Sequence, residues 1–301
     1  MKRSKSLFVL ACVAIALASL AGGIARADVV YQNIWDTQVV NADGVGINPY
    51  VGSTTTKIRI EGIALNDSDD YLDPNVQFQV YVQGVSPDMG GIAAWAGSFY
   101  QGGPGSPQWL AEYTRLTTGW KEGDLIRIEG WIANRGGKTN INERHSDDPY
   151  YDFTITLITP DVGLPDPIIL PSVQECNIFD QTRATGGERY QSQWARLNGV
   201  TLVGGTWAPG QTVQVSDDGG ANTFNVLLSQ MGAFDTAPDQ PFDVIGIFDQ
   251  EDLTLPFTSN YRLWVKDQSF IYVVPEPGTA VLLAVSLACA ALVRRRKNTE
   301  G

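Results

Sequence analysis

Strict alternation of apolar and polar residues constrains this chain more than any other feature. The pattern recurs at Lys57–Ile63 (KIRIEGI), Val76–Val82 (VQFQVYV), Leu125–Ile132 (LIRIEGWI) and Phe153–Ile158 (FTITLI). It returns at Ala195–Leu202 (ARLNGVTL), Thr212–Val215 (TVQV), Thr223–Leu228 (TFNVLL) and Phe242–Phe248 (FDVIGIF). A period of two places one side-chain row on a core and the other toward water, which is the signature of half-buried strands. Gly, Pro, Asn and Asp fill the stretches between them, as turns require. No long 3.6-residue apolar period occurs in the body. Short helices are expected only around Gln108–Thr117 and Val173–Gln181. The expected fold class is therefore all-β.

The proline-bearing stretch Thr159–Pro171 (TPDVGLPDPIILP) splits the body, because prolines this dense suit an extended junction and not a central strand. The expected units are a β-rich domain over 28–160, a linker over 161–172 and a second β-rich domain over 173–273. Glycine-bearing strands flank each half: IRIEGIAL and IRIEGWIAN in the first, ARLNGVTL and FDVIGIFDQ in the second. The order LNGVTLVGG, GQTVQVSDDGGANTFNVLL, PFDVIGIFDQ resembles the OB-fold, in particular the tandem OB-like modules of exported bacterial proteins. The resemblance implies two small β-barrels in tandem, with a β-sandwich as the alternative. Within it, Ser216–Ala221 (SDDGGA) is expected to turn a hairpin, and glycines in the first and fourth strands to let a barrel bend sharply. The first half departs from the pattern through an acidic Leu65–Pro74 and a Gly/Pro-rich insertion over Val85–Gln108.

Both ends read as addresses. Lys2, Arg3 and Lys5 precede the apolar run Leu7–Ala21, and Ala25-Arg26-Ala27 closes it. A basic n-region, an apolar h-region and an A-x-A site describe a secretory signal peptide over 1–27, with Asp28 as the mature N-terminus. At the other end the uncharged run Gly278–Val293 would span roughly 24 Å as a helix, short of the ~30 Å hydrocarbon core. Arg294, Arg295, Arg296 and Lys297 follow at once and would stop export there. A short C-terminal transmembrane helix is expected, and a permanent tail anchor is one reading of it. Together with Pro275, Glu276 and Pro277, however, segment 274–297 resembles the PEP-CTERM sorting signal of Gram-negative bacteria. That resemblance implies an export translocon and an exosortase-type sorting enzyme as partners. It further implies a transient membrane anchor and a destination in the cell envelope, on the outer surface or outside the cell.

The chain carries a net charge of −12 even with the cations of both terminal segments included. Such a field repels phosphate backbones, and no nucleic-acid partner is expected. Cys176 is the one cysteine between the two terminal segments, so no internal disulfide or cysteine zinc site can form there. The single histidine, His145, has neither a nucleophile-elbow nor a metalloprotease motif around it. Catalytic residues are therefore expected to be none, and cofactors none. The acidic loop with Asp67, Asp69, Asp70 and Asp73 could offer oxygens to calcium, although the EF-hand glycine and distant glutamate are missing. Tryptophans can stack on sugars, and Trp95 and Trp109, in the long loop region, are the expected glycan contacts. The expectation is a non-enzymatic, exported surface or extracellular-matrix protein that acts by binding or as a matrix component. A carbohydrate-binding or carbohydrate-active protein of the exopolysaccharide matrix is the alternative.

Overall fold

A computed structural model of the chain describes residues 27–73, 77–97, 103, 105–144, 146 and 148–273. The leader up to Arg26, His145, the Pro275-Glu276-Pro277 motif, the expected C-terminal helix and the Arg294–Lys297 cluster lie outside the described residues. Among those described, no helix is long and apolar enough to cross a membrane.

The first half runs β1 (Asp28–Tyr31), α1 (Ile34–Thr37), β2 (Thr56–Ala64), β3 (Phe78–Gln83) and β4 (Gly91–Ala96). It continues through α2 (Pro107–Thr117), β5 (Leu125–Gly130), β6 (Ile132–Arg135), β7 (Lys138–Asn142) and β8 (Thr154–Thr159). The second half runs β9 (Ile168–Ile169), α3 (Val173–Cys176), β10 (Trp194–Gly205), β11 (Thr212–Ser216) and β12 (Phe224–Leu228). It ends with β13 (Phe242–Gln250), β14 (Tyr261–Val265) and β15 (Ile271–Val273). All eight alternating stretches fall on strands, so the fold is all-β as the period required.

In the second half the sheet closes on itself. β10 pairs β11, β11 pairs β12, β12 pairs β14, β14 pairs β13, and β13 returns to β10; only the β12–β14 pair is parallel. This closed five-stranded barrel is OB-like. Val213, Val215, Phe224, Val226, Leu228, Val244, Phe248, Leu263 and Val265 point inward as one core. The alternate residues of the same strands face out. The hairpin expected at Ser216–Ala221 is present, with Val215 opposite Phe224 and Gly219 and Gly220 at positive φ.

The first sheet has the order β6-β7-β4-β3-β2-β5-β8, with β1 added parallel to β2. Only Trp131 separates β5 from β6. The stretch Leu125–Arg135 therefore pairs β2 through its first part and β7 through its second. The bend falls at Gly130, where a Cβ would lie 2.5 Å from Ile141 Cγ2. Ile58, Ile60, Phe78, Val80, Val82, Ile92, Ala94, Ile126 and Ile128 form this half's core, and Leu116 of α2 packs into it. Ser106 caps α2 by accepting from the Trp109 N–H at 3.1 Å, and Pro107 opens the helix.

One expectation needs correction. The stretch read as an insertion over Val85–Gln108 contains β4, a strand paired to both β3 and β7. GIAAWA hides its alternation because alanines serve both faces. The Thr159–Pro171 segment joins the halves as an extended stretch and is paired at a few points along it. Gly163 N donates to Gly123 O at 2.9 Å, Ile168 and Ile169 pair β10, and Leu170 is buried in the second core. Cys176 is buried too, and burial pushes its thiol up to about 12.

The glycine of the fourth barrel strand has a definite steric role. A Cβ on Gly246 would sit 2.5 Å from the Trp264 carbonyl oxygen, at the point where β13 passes from pairing with β10 to pairing with β14. Gly246→Ala is expected to cost about 1–3 kcal/mol of unfolding free energy as overpacking against backbone, read from denaturant melts.

Candidate functional site

The outer faces of the two halves meet. On β3 the residues not used by the first core are Gln79, Tyr81 and Gln83; on β4 they are Gly91, Ala93 and Trp95. Strand register sets Gln79 beside Trp95 and Trp95 beside Asn142 of β7, while Tyr81, Ala93 and Asn140 form the next row. On the barrel of the second half, Leu227 lies beside Trp264, and Asn225 beside Arg262. Leu65, Tyr71, Tyr81 and Ala93 pack with Trp194, Ile245, Ile247 and Trp264 into a third apolar cluster that joins the halves. Tyr71 and Trp264 rings lie 5.0 Å apart, and Tyr81 meets Trp264 edge-on at 6.4 Å.

Polar contacts fix the same junction. Asp249 is fully buried and takes Lys138 Nζ of the first half on one oxygen and Arg262 of the second half on the other, the latter at 2.7 Å. Burial alone would push the Asp249 carboxyl up, but the Lys138 ammonium and the Arg262 guanidinium outweigh it and hold the carboxyl below its ordinary range. Glu251 stands 3.3 Å from Lys138 and 3.5 Å from Arg262. Elsewhere along the seam Lys266 bridges Asp70 at 2.8 Å and Glu122 at 2.7 Å, and the Trp194 N–H donates to Gln83 Oε1 at 2.8 Å.

Beside this seam the two faces diverge around a cleft of ≈ 360 Å³. Gln77, Gln79, Trp95, Arg135, Lys138, Asn140 and Asn142 line it from the first half; Leu227, Glu251, Arg262 and Trp264 line it from the second. Asn142 Nδ2 donates to Asn140 Oδ1 at 2.9 Å, which fixes both amides, and Arg262 lies 5.2 Å from the Trp264 ring centre. Gln77 and Gln79 make no side-chain hydrogen bond among the described residues. The cleft thus combines flat aromatic surface with several amides and a charged floor. A second cleft of ≈ 370 Å³, around Trp35, Met89, Ile168 and Tyr190, is mostly apolar and offers a polar ligand little to orient it.

Of the residues expected from sequence, Trp95 is in the cleft. Trp109 is not a surface platform: it is 5 % exposed, faces inward from α2 and stacks on Tyr113 at 4.9 Å. The amphipathic helix that carries it turns it away from solvent. The acidic loop is engaged otherwise. Asp67 Oδ1 accepts from Glu122 N at 2.8 Å, Asp70 accepts from Asp67 N at 2.7 Å and bridges Lys266, and Asp69 is exposed. No group of three or more His, Cys, Asp or Glu side chains able to hold a metal occurs among the described residues. Ala27 and Asp28 lie at the start of β1, remote in sequence from every lining residue. Sequence reasoning missed Gln77, Gln79, Arg135, Lys138, Asn140, Asn142, Arg262 and Trp264. Alternation shows that such residues share an outer face, but the pairing of two such faces has no local signature.

No family model and no curated protein matches the chain. Among solved structures it is similar to the Ifi202 HINa domain in complex with 20bp dsDNA. That match has 9% identity, covers 64% of this chain and 83% of that one, and has a TM-score of 0.28. It is similar to a murine DNA binding protein bound with ds DNA (9% identity, 73% and 97% covered, TM-score 0.31) and to a tetrameric p202 HIN2 (9%, 70% and 88%, 0.23). The exclusion of nucleic acid drawn from net charge is corrected by these findings, since two of the similar structures hold double-stranded DNA. Likenesses at such TM-scores carry no argument for what this chain binds.

The buried carboxylates set two expectations. Asp249→Asn leaves Lys138 and Arg262 facing only Glu251, and it should cost about 3–5 kcal/mol in denaturant unfolding. Stability should also depend on pH in two directions. Asp249, held low, contributes stability above the ordinary aspartate value of 3.8, and this is lost as pH falls through its folded value. Burial raises Asp70 to about 6, outweighing Lys266, and raises Glu143 and Glu188 to about 7; their contribution is complete at low pH and is lost as pH rises through those values. The thermal midpoint should therefore peak near pH 4, fall below it as Asp249 protonates, and decline above it until about pH 7, as calorimetry across that range would show.

Proposed function

We propose that this chain is an exported binding protein of the cell surface or extracellular matrix that holds a short saccharide in the cleft between two OB-like barrels. The observation that carries the reading is the row Gln79–Trp95–Asn142, which sets an indole between two amides on adjacent strands. A pyranose ring presents C–H groups on its faces and hydroxyls around its edge. An indole stacks on the first, and amides, each with donor and acceptor, match the second. The cleft's size lies in the ~300–1,000 Å³ range of small-molecule sites. The first half supports a second OB-like unit, since counting Leu125–Arg135 as one bent strand gives it the pairing order of the closed barrel. The leader over 1–27 and the Pro275-Glu276-Pro277 cassette supply the route, and segment 274–297 acts as a sorting signal that anchors the protein in transit.

Glycan-array screening followed by calorimetry tests the binding. Trp95→Ala should weaken the best saccharide at least tenfold without changing the far-UV spectrum, whereas Trp109→Ala should lower stability by about 3–5 kcal/mol. Tighter binding of a DNA duplex than of any glycan would overturn the saccharide reading, and turnover of the bound glycan would overturn the non-enzymatic one. Intact mass of the native protein tests the route: it should begin at Asp28 and lack the basic tail.

A further inference from the structure

Resting on the saccharide reading of the cleft, we infer that it selects an acidic sugar, one bearing a uronic-acid-type carboxylate, and that Arg135 is the residue that reads it. The charges within the cleft lead there. Lys138 and Arg262 are both held by Asp249 and Glu251, at contacts out to 3.3 and 3.5 Å, so two cations and two carboxylates form a neutral set. Arg135 is the remaining charged group in the lining; it is exposed and has no ion pair among the described residues. The cleft therefore presents one uncommitted guanidinium inside a protein whose net charge is −12.

Its position is built, not incidental. β6 and β7 are joined by Gly136 and Gly137, both at positive φ, a two-residue hairpin that fixes the strands tightly. Register sets Arg135 directly opposite Lys138, so both side chains leave the same face of the ribbon, the one toward the cleft. The turn is tied to the other half as well: Asp252 N donates to Gly136 O at 3.0 Å, and a Cβ at Gly137 would strike the Gln250 side chain. A guanidinium on such a rim pairs with a planar carboxylate through two parallel N–H···O bonds, which a neutral sugar hydroxyl cannot offer. The acidic remainder of the protein does not cancel this attraction, because charges farther than a Debye length of ~8 Å are screened at physiological salt.

Calorimetric titration of the full-length protein with a linear oligouronate and with a neutral oligosaccharide of equal length tests the inference. Wild type should bind the oligouronate about tenfold more tightly, equivalent to ~1.4 kcal/mol. Arg135→Gln should abolish the preference, so that the oligouronate and the neutral ligand bind that variant with equal affinity. Arg135→Lys should keep part of the preference, since charge remains and the fork is lost. Equal wild-type affinities, or a preference that survives Arg135→Gln, overturns the acidic-sugar assignment. If Trp95→Ala nevertheless weakens both ligands, the saccharide cleft itself stands; if Trp95→Ala alters neither, the cleft reading fails and this inference with it.

Discussion

Asp249 is a carboxylate with no access to water, and it is held there by a lysine from one half of the chain and an arginine from the other. A charge so placed tolerates the interior only while both partners remain within hydrogen-bonding reach. The two halves consequently cannot separate without leaving charged groups buried and unpaired or admitting water to all of them. The apolar cluster of Tyr71, Tyr81, Trp194 and Trp264 surrounds the same junction and excludes that water. Apolar packing supplies attraction without direction, whereas the Lys138–Asp249–Arg262 geometry fixes which rows of β7, β13 and β14 face one another. The cleft is a by-product of that registration.

The strands and the cleft were legible in the sequence to different degrees. KIRIEGI, TVQV and TFNVLL announce strands because their inward residues are bulky and their outward ones polar. GIAAWA and KTNIN conceal theirs, the first because alanine is neutral between faces, the second because its outward residues are buried under the second half. The same cause hid the site. Asn140, Asn142 and Gln79 look like ordinary solvent-facing strand residues until a second sheet covers them, and that covering depends on residues more than a hundred positions away. Trp95 was legible as a ligand platform through its residue type. Trp109 was misplaced because a tryptophan in a Gly/Pro-rich region reads as exposed, when α2 in fact carries it against the core.

Charge taught a related lesson. Net charge describes the field at a distance, and here it is strongly negative. A cleft a few ångströms across answers to its own groups, and in this one the buried carboxylates are already matched by cations. Bulk acidity and local selectivity are therefore separate properties, and the first does not settle the second.

The short strand β15 bears on how this fold would carry load. It lies at the edge of the second sheet, pairing only Phe242–Val244 of β13, while barrel closure uses β13's contacts with β10 and β14. Tension on the chain beyond Val273 would reach the domain first through those three residue pairs. Under such tension they would peel away one after another while the ring of five strands stayed shut, so β15 would yield before the barrel.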